Sequence, residues 1–272
     1  MPYLVASPMR IDGRQIARHI LARTREALDG ACPVVRAITV APTRATESYL
    51  AIKSARAKDA GMVLEVVRLA DVASTQEVIA AVTAPGADAV IVQLPLPASI
   101  DTAAVLAAIP VAKDADCLSP RSRIEGALLP PVAGAVQAIL AQANVSVTGK
   151  RAVVIGAGWL VGEPVAAYLT AQGANVVVIE KTDDLATAVA DANIIVSGAG
   201  SPHLVTPNLL KQGVVLIDAG TSESGGAVVG DVDPLCEAVA AVYTPVPGGV
   251  GPVAVACLFE NVAKTVLSGT PF

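Results

Sequence analysis

Aromatic side chains are scarce in this chain: Phe, Trp and Tyr make up 3% of its 272 residues. With hydrophobic residues at 53%, Ala, Val, Leu and Ile must fill the interior. Histidine is rarer still; His19 and His203 are isolated, and neither is read as catalytic or as a ligand. The four cysteines, Cys32, Cys117, Cys236 and Cys257, lie far apart with no CxxC pair. That spacing argues against a zinc site and against a disulfide framework, so no metal is expected and the thiols are read as reduced. Positive charge is in deficit, the net being −5, which argues against nucleic acid or an anionic membrane as a partner. The opening MPYLVASPMRIDG lacks the basic and apolar regions of a signal peptide, and no apolar run is read as long and clean enough to span a bilayer. The expectation is a soluble cytoplasmic protein.

What the sequence does have is alternation. Strand-like apolar runs occupy 34–41, 62–70, 87–94, 151–157, 174–180, 192–200 and 213–220. Helical patterns fill 13–28, 44–60, 74–83, 101–108, 132–143, 160–172 and 233–240. Continuous Val/Ile runs separated by helices predict an α/β fold, with parallel sheets covered on both faces. The stretches 110–130 and 145–151 read as junctions, and a domain boundary is placed near residue 143.

The second half carries a nucleotide-site pattern. RAVVIGAGWLVGEPVAAYL reads as a strand, a turn through Gly156, Ala157, Gly158 and Gly162, and a helix. Glycines there permit a tight turn and let a pyrophosphate approach the helix N-terminus. The last spacing is one residue longer than GxGxxG. Glu180 ends the next strand about 20 residues on, where an acid accepts from an adenosine ribose hydroxyl. A dinucleotide-binding, Rossmann-like domain is the reading.

The first half is less transparent. Tyr49 and Lys53 are i and i+4 on one predicted helix, so they share a face. They could be an ordinary surface pair, but a lysine against an apolar wall serves as acid or base. Gln93 opens QLPLP at the carboxyl end of a buried strand, as a strand cap or a ligand contact. Asp114 and Asp116 in AKDADCLSP are either solvated loop residues or site residues. Near the end, TPVPGGVGP (244–252) sets glycines that admit close backbone approach among prolines that stiffen the loop, with a helix expected to start near Pro252.

Taken in order, Tyr49-x-x-x-Lys53, VQLPLP, KDAD, VIGAGWLVGEP, LIDAG, GDVD (230–233) and TPVPGGVGP resemble the bifunctional methylenetetrahydrofolate dehydrogenase/methenyltetrahydrofolate cyclohydrolases over nearly the whole chain. The resemblance implies a folate-binding catalytic domain (1–142 plus 252–272) and a doubly wound dinucleotide-binding domain (143–251), with the last helix returning to the first domain. It implies that the TPVPGGVGP loop walls a cleft between the domains. Lys53 matches the family's catalytic lysine, Gln93 its hydrogen-bonding partner, and Tyr49 the tyrosine lining the folate, counted with the catalytic set. Asp116 matches the carboxylate that grips the pterin. Gly248, Gly249 and Pro252 match the substrate side of the loop. Gly156, Ala157, Gly158, Gly162, Glu180, Thr221 and again Gly249 make up the nucleotide set. A homodimer through the dinucleotide domain is also implied.

The departures are specific. Where the family usually has Arg-Ser after the first glycine, this chain has Ala157-Gly158, and Glu180-Lys181 replaces a His-Ser-type segment. Both changes favour NAD, with NADP possible, because an acid repels a 2′-phosphate. In the folate half, Gly-Phe-His reads Cys117-Leu118-Ser119, Pro-Cys-Thr-Pro reads Pro130-Pro131-Val132-Ala133, and Met-Thr reads Val253-Ala254. A dehydrogenase-only enzyme on a modified folate or pterin is therefore an alternative, and a non-catalytic nucleotide-responsive protein is another.

Overall fold

The computed structural model of the chain describes residues 8–180, 183–224 and 227–268. The elements open with β1 (Met9–Arg10), α1 (Gly13–Ala27), β2 (Val34–Val40), α2 (Arg44–Asp59), β3 (Val63–Leu69), α3 (Thr75–Thr83) and β4 (Ala89–Val92). Next come α4 (Thr102–Ala107), α5 (Pro120–Glu125) and α6 (Pro131–Gln142). They lead into β5 (Arg151–Ile155), α7 (Gly162–Ala171), β6 (Asn175–Ile179), α8 (Leu185–Val189), β7 (Ile194–Ser197) and β8 (Val214–Asp218). The antiparallel pair β9 (Ser222–Ser224) and β10 (Ala227–Val229) precedes β11 (Ala240–Tyr243) and the long α9 (Val250–Ser268).

Two compact units result: Arg18–Pro131 with the described residues from Val255 onward, and the described residues up to Ala17 with Val132–Ala254. The first is built on a parallel sheet in the order β3-β2-β4. β2 is central and almost wholly buried, as its run VVRAITV requires, and AVIV of β4 is buried at every position. β3 lies at the edge and alternates between exposed and partly buried residues. Ile38, Val90 and Val92 pack with Val78, Val82 and Val105 in the core. Side-chain caps fix where the helices begin. Thr43 accepts from the Thr46 N–H to start α2, and Ser74 with Glu77 forms a reciprocal capping box for α3.

The other unit holds a six-stranded sheet in the order β1-β11-β8-β7-β5-β6, with every neighbouring pair parallel. From β5 the chain passes through α7 to β6 on one side, then returns to place β7 on the other. That reversal makes a switch point at the carboxyl ends of β5 and β7, where open α/β sheets bind ligands. Val153, Ile155, Ile195, Leu216 and Tyr243 belong to its core.

The seven expected strands form, each shorter than its apolar run. The helix expected over 233–240 does not form. Pro234–Ala238 is a single 3₁₀ turn, begun by Asp233 accepting from the Leu235 N–H, and Ala240–Tyr243 is a strand. Pairing with β8 on one side and β1 on the other overrides the helical preference of its alanines. The division between units also differs from the expected 1–142 plus 252–272. Met9 and Arg10 pair with Val242 and Tyr243, and Gly13 N–H donates to Gly248 at 3.0 Å, so main-chain bonds draw the first residues into the unit of the six-stranded sheet. α6 joins them there, with Gln137 bonding Tyr168 of α7. Finally, α9 is long and apolar enough to cross a bilayer by length and composition alone, contrary to the reading that no run is. Half of it is buried within the protein, with Val253, Ala256, Phe259 and Val262 fully enclosed. It is a core helix.

Candidate active site

In the unit built on β3-β2-β4, three of the singled-out residues converge. Tyr49 and Lys53 lie one turn apart on α2, the tyrosine exposed and the lysine partly buried. Gln93 follows β4 directly, where the main chain leaves the sheet, and its N–H donates to Ile38 at 2.8 Å. Lys53 Nζ donates to Gln93 Oε1 at 3.0 Å, while Gln93 Nε2 donates to the Leu94 carbonyl, also at 3.0 Å. The second bond fixes the amide so that its oxygen faces the lysine. Asp116 acts on the same lysine through its charge.

The electrostatics of this group are opposed rather than balanced. Burial pulls the Lys53 amine below its ordinary value, and the Asp116 charge pushes back only in part. Burial raises the Asp116 carboxyl, against the pull of Lys53 and Arg123 and with a further push from Asp114. A lysine lowered by burial beside a charge partner marks a candidate site for proton transfer. Burial first, then Asp114 and Asp116, lift the neighbouring Cys117 thiol to about 12, so it is not a nucleophile at neutral pH.

Two residues hold Asp116 in place. Asp114 is 1% exposed and accepts from the Leu118 and Ser119 N–H groups at 3.0 and 2.7 Å, closing the turn around Asp116. Asp114 is therefore a structural acid, distinct from its neighbour two residues on. Asn261 on α9, also buried, donates through Nδ2 to the carbonyls of Ala115 and Leu129 at 3.0 and 2.9 Å. Sequence reasoning passed over Asn261, because an asparagine within an apolar helical run reads simply as a tolerated polar residue. Its burial gives it away.

In the other unit the glycine turn leads from β5 to α7. Gly156 has φ +95°, a conformation that L side chains rarely adopt, and a Cβ on Gly162 would overlap the Gly156 carbonyl. The first residue of α7 thus packs directly on the turn, and the surface of the turn is left to Ala157 and Gly158, both exposed. Glu180 stands exposed directly after β6, its N–H donating to Asp183 Oδ2 at 2.7 Å; Lys181 lies outside the described residues. Thr221, exposed, precedes β9. The loop after β11 carries Gly248 at φ +111° beside the Arg14 guanidinium. Gly249 is buried, and its N–H donates to Pro245 at 2.8 Å. Pro252 lies in the first turn of α9, which begins two residues earlier than expected, at Val250. Among the described residues no group of His, Cys, Asp or Glu could hold a metal.

Fold and site together define a class: an α/β chain whose one unit carries a strand–glycine turn–helix of the dinucleotide-binding type and whose other unit holds a lysine, lowered by burial, bonded to a glutamine. The comparisons make this particular. Residues 130–269 match the model of the tetrahydrofolate dehydrogenase/cyclohydrolase NAD(P)-binding domain, and residues 11–116 match that of its catalytic domain. The chain belongs to the tetrahydrofolate dehydrogenase/cyclohydrolase family. A bifunctional protein FolD from Lacticaseibacillus paracasei is 35% identical over 269 residues, covering 93% of this chain and 95% of that protein. The FolD crystal structure from Campylobacter jejuni superposes with a TM-score of 0.92 at 30% identity, covering 96% of this chain and 99% of that one. The Trypanosoma brucei FolD in complex with NADP and an inhibitor gives 0.90 at 33% identity, over 97% and 99%.

Proposed function

We propose that this chain oxidises 5,10-methylenetetrahydrofolate to the methenyl form with a nicotinamide nucleotide and then hydrolyses that product to 10-formyltetrahydrofolate. The observation that carries the reading is Lys53, with its pKa lowered by burial and its amine bonded to Gln93 and opposed by Asp116. A glycine turn that a Cβ would fill, followed by the N-terminus of α7, fits the nucleotide's pyrophosphate. A bound nucleotide would supply the hydride acceptor for the one-carbon bridge of the folate. For that step the protein aligns donor and acceptor and needs no lysine proton. Asp116 grips the pterin amino and ring N–H groups by charge-assisted hydrogen bonds, and Tyr49 lines the ring. In the second step Lys53 takes one proton of the water that adds to the methenyl carbon and returns it to N5 as the C–N5 bond breaks, the carbinol hydroxyl proton passing to solvent as the formyl carbonyl forms, with Gln93 orienting the amine.

The nucleotide set assigned to Gly156, Ala157, Gly158, Gly162, Glu180, Thr221 and Gly249 favours NAD over NADP. Exposed Ala157 and Gly158 offer no cation to a 2′-phosphate, and Glu180 repels one. A homodimer through the nucleotide unit belongs to the same reading. It is supported by the edge strand β6, which pairs only with β5 among the described residues and leaves Val178 42% exposed. The test of function follows reduced nucleotide and methenyl absorbance with 5,10-methylenetetrahydrofolate and each nucleotide. Both products are expected, the methenyl signal then decaying; no reduced nucleotide from either cofactor would refute the assignment.

A further inference from the structure

LIDAG and GDVD have no role in the reactions above, yet each carries a buried carboxylate saturated with hydrogen bonds. Asp231 is 0% exposed; its Oδ2 accepts from Ser197 Oγ at 2.8 Å, Ala199 N–H at 2.7 Å and Gly200 N–H at 3.2 Å. Its Oδ1 accepts from the Ser201 N–H at 2.7 Å. Asp218 accepts from Gly220 and Asp231 N–H at 2.9 and 3.2 Å through Oδ1, and from Val232 N–H at 2.9 Å through Oδ2. Its own N–H donates to Thr244 Oγ1 at 2.7 Å, where the TPVPGGVGP loop begins. The glycines of the two motifs make room, since a Cβ on Gly220 would overlap the Asp231 carboxylate and one on Gly230 that of Asp218. Two carboxylates thus fasten the segments that follow β7, β8 and β11 to one another.

Resting on the nucleotide reading above, we infer that Asp231, backed by Asp218, is a positioning residue for the nicotinamide nucleoside, presenting the Ala199 and Gly200 carbonyls to its amide and hydroxyl donors. Three successive N–H groups converging on one point form a nest suited to an anion. Here the anion is the protein's own, so a phosphate finds no donors in this loop. The peptide bonds from 198 to 201 are trans, and a trans peptide whose N–H points at Asp231 directs its carbonyl the opposite way. The N–H groups of Gly200 and Ser201 share peptides with the Ala199 and Gly200 carbonyls, which therefore face away from the buried acid. The loop is one strand over from the glycine turn: a Cβ on Gly156 would come within 2.9 Å of the Gly198 carbonyl. Glu180, assigned to the adenosine ribose, follows β6 on the other side of β5, so the nucleoside left for the β7 side, with its carboxamide and ribose hydroxyl donors, is the nicotinamide one.

Fluorescence titration with NADH and NADPH, beside calorimetric titration with ADP, separates this role from general support of the fold. Asp231→Asn puts an amide donor among four donors. We expect it to weaken binding of the preferred reduced nucleotide by about tenfold or more. ADP affinity and nucleotide-free methenyl hydrolysis should stay within about twofold. Ser197→Ala keeps the three N–H bonds and should weaken the reduced nucleotide by a few-fold, again sparing ADP; it decides the matter if the asparagine variant does not fold. Equal weakening of ADP and the reduced nucleotide, or no change in the latter, would overturn the inference. A wild type that binds NADH or NADPH but leaves methylenetetrahydrofolate unoxidised would refute the proposed function and leave this inference to the titration. Binding of neither would overturn both.

Discussion

Lys53 in one unit and Asp231 in the other are both charged side chains withdrawn from water, and they are partnered in opposite ways. Lys53 donates to a single neutral oxygen, on Gln93, and receives its countercharge from Asp116 without a direct ion pair among the described residues. Asp231 accepts four hydrogen bonds, three of them from consecutive backbone N–H groups. An under-satisfied charge lies close in energy to its neutral form and can move a proton. A charge held by several backbone donors fixes the backbone around it. The hydrolytic step asks for the former and the alignment of a hydride donor with its acceptor asks for the latter. The comparison predicts which step each substitution strikes.

The largest effect is expected from Lys53→Met, which keeps most of the stem and removes the amine. Methenyl hydrolysis should fall by roughly 10²- to 10⁴-fold, the usual share of a positioned acid–base group, while dehydrogenase activity is spared more. The methenyl product then accumulates in the absorbance assay. Unchanged hydrolysis would remove the lysine from the mechanism.

Next is a test of stability in the saturated region. Burial raises the Asp218 carboxyl to about 6 from an ordinary 3.8, against the N–H bonds of Val232, Asp231 and Gly220 and with a push from the Asp231 charge. A folded state that binds the proton more tightly than the unfolded chain is favoured at low pH, and that advantage is lost as pH rises from about 4 through about 6. Two pH units at about 1.4 kcal/mol each put a ceiling of about 3 kcal/mol on the change. Asp218→Asn lacks this titration. Denaturant unfolding of both proteins between pH 4.5 and 7 should show the wild type losing stability relative to the variant as pH rises. A constant difference would mean that the N–H donors outweigh burial.

Much of this was legible beforehand because it is local. Continuous Val/Ile runs gave β2, β4, β5, β7 and β8, and i, i+4 spacing put Tyr49 and Lys53 on one face. What escaped depended on partners distant in sequence. β11 is a strand because β8 and β1 lie beside it, although its alanines suit a helix. The first residues follow the nucleotide sheet through pairing more than 200 residues away, at Met9 with Val242. Asp114 and Asp116 look alike in sequence, yet one closes a turn and the other faces a lysine. Asp218 and Asp231 were visible as motifs, but their purpose lies in which N–H groups they collect.

Asp116→Asn sharpens the comparison from the folate side. It removes the charge that opposes desolvation of Lys53, so the lysine amine should fall further from its ordinary value. It also removes a charge-assisted grip on the substrate, on the order of 1.5–3 kcal/mol. Both activities share that substrate, so both should lose about tenfold or more in kcat/KM, with KM for the folate carrying most of the loss. Loss confined to hydrolysis would mean that Asp116 serves the lysine alone.

The smallest expected effect concerns the choice of nucleotide. Glu180 is exposed, so water and salt screen its repulsion of a 2′-phosphate, and the same exposure limits what its removal can recover. Its backbone is fixed by Asp183, which leaves a second carboxylate close by after Glu180 is gone. Glu180→Ala should therefore raise kcat/KM with NADP by a few-fold and lower it with NAD, as the ribose hydroxyl loses its acceptor, narrowing the gap without reversing it. The screened part should shrink further between low and 0.5 M salt, whereas the lost hydrogen bond to NAD should not. A wild type that prefers NADP by tenfold, or about 1.4 kcal/mol, would mean that cations elsewhere outweigh Glu180 and that Ala157 and Gly158 were misread. In that event Glu180→Ala would still shift the preference toward NADP, now widening the gap, so the wild-type preference, read with both nucleotides at two salt concentrations, settles which charge governs the site.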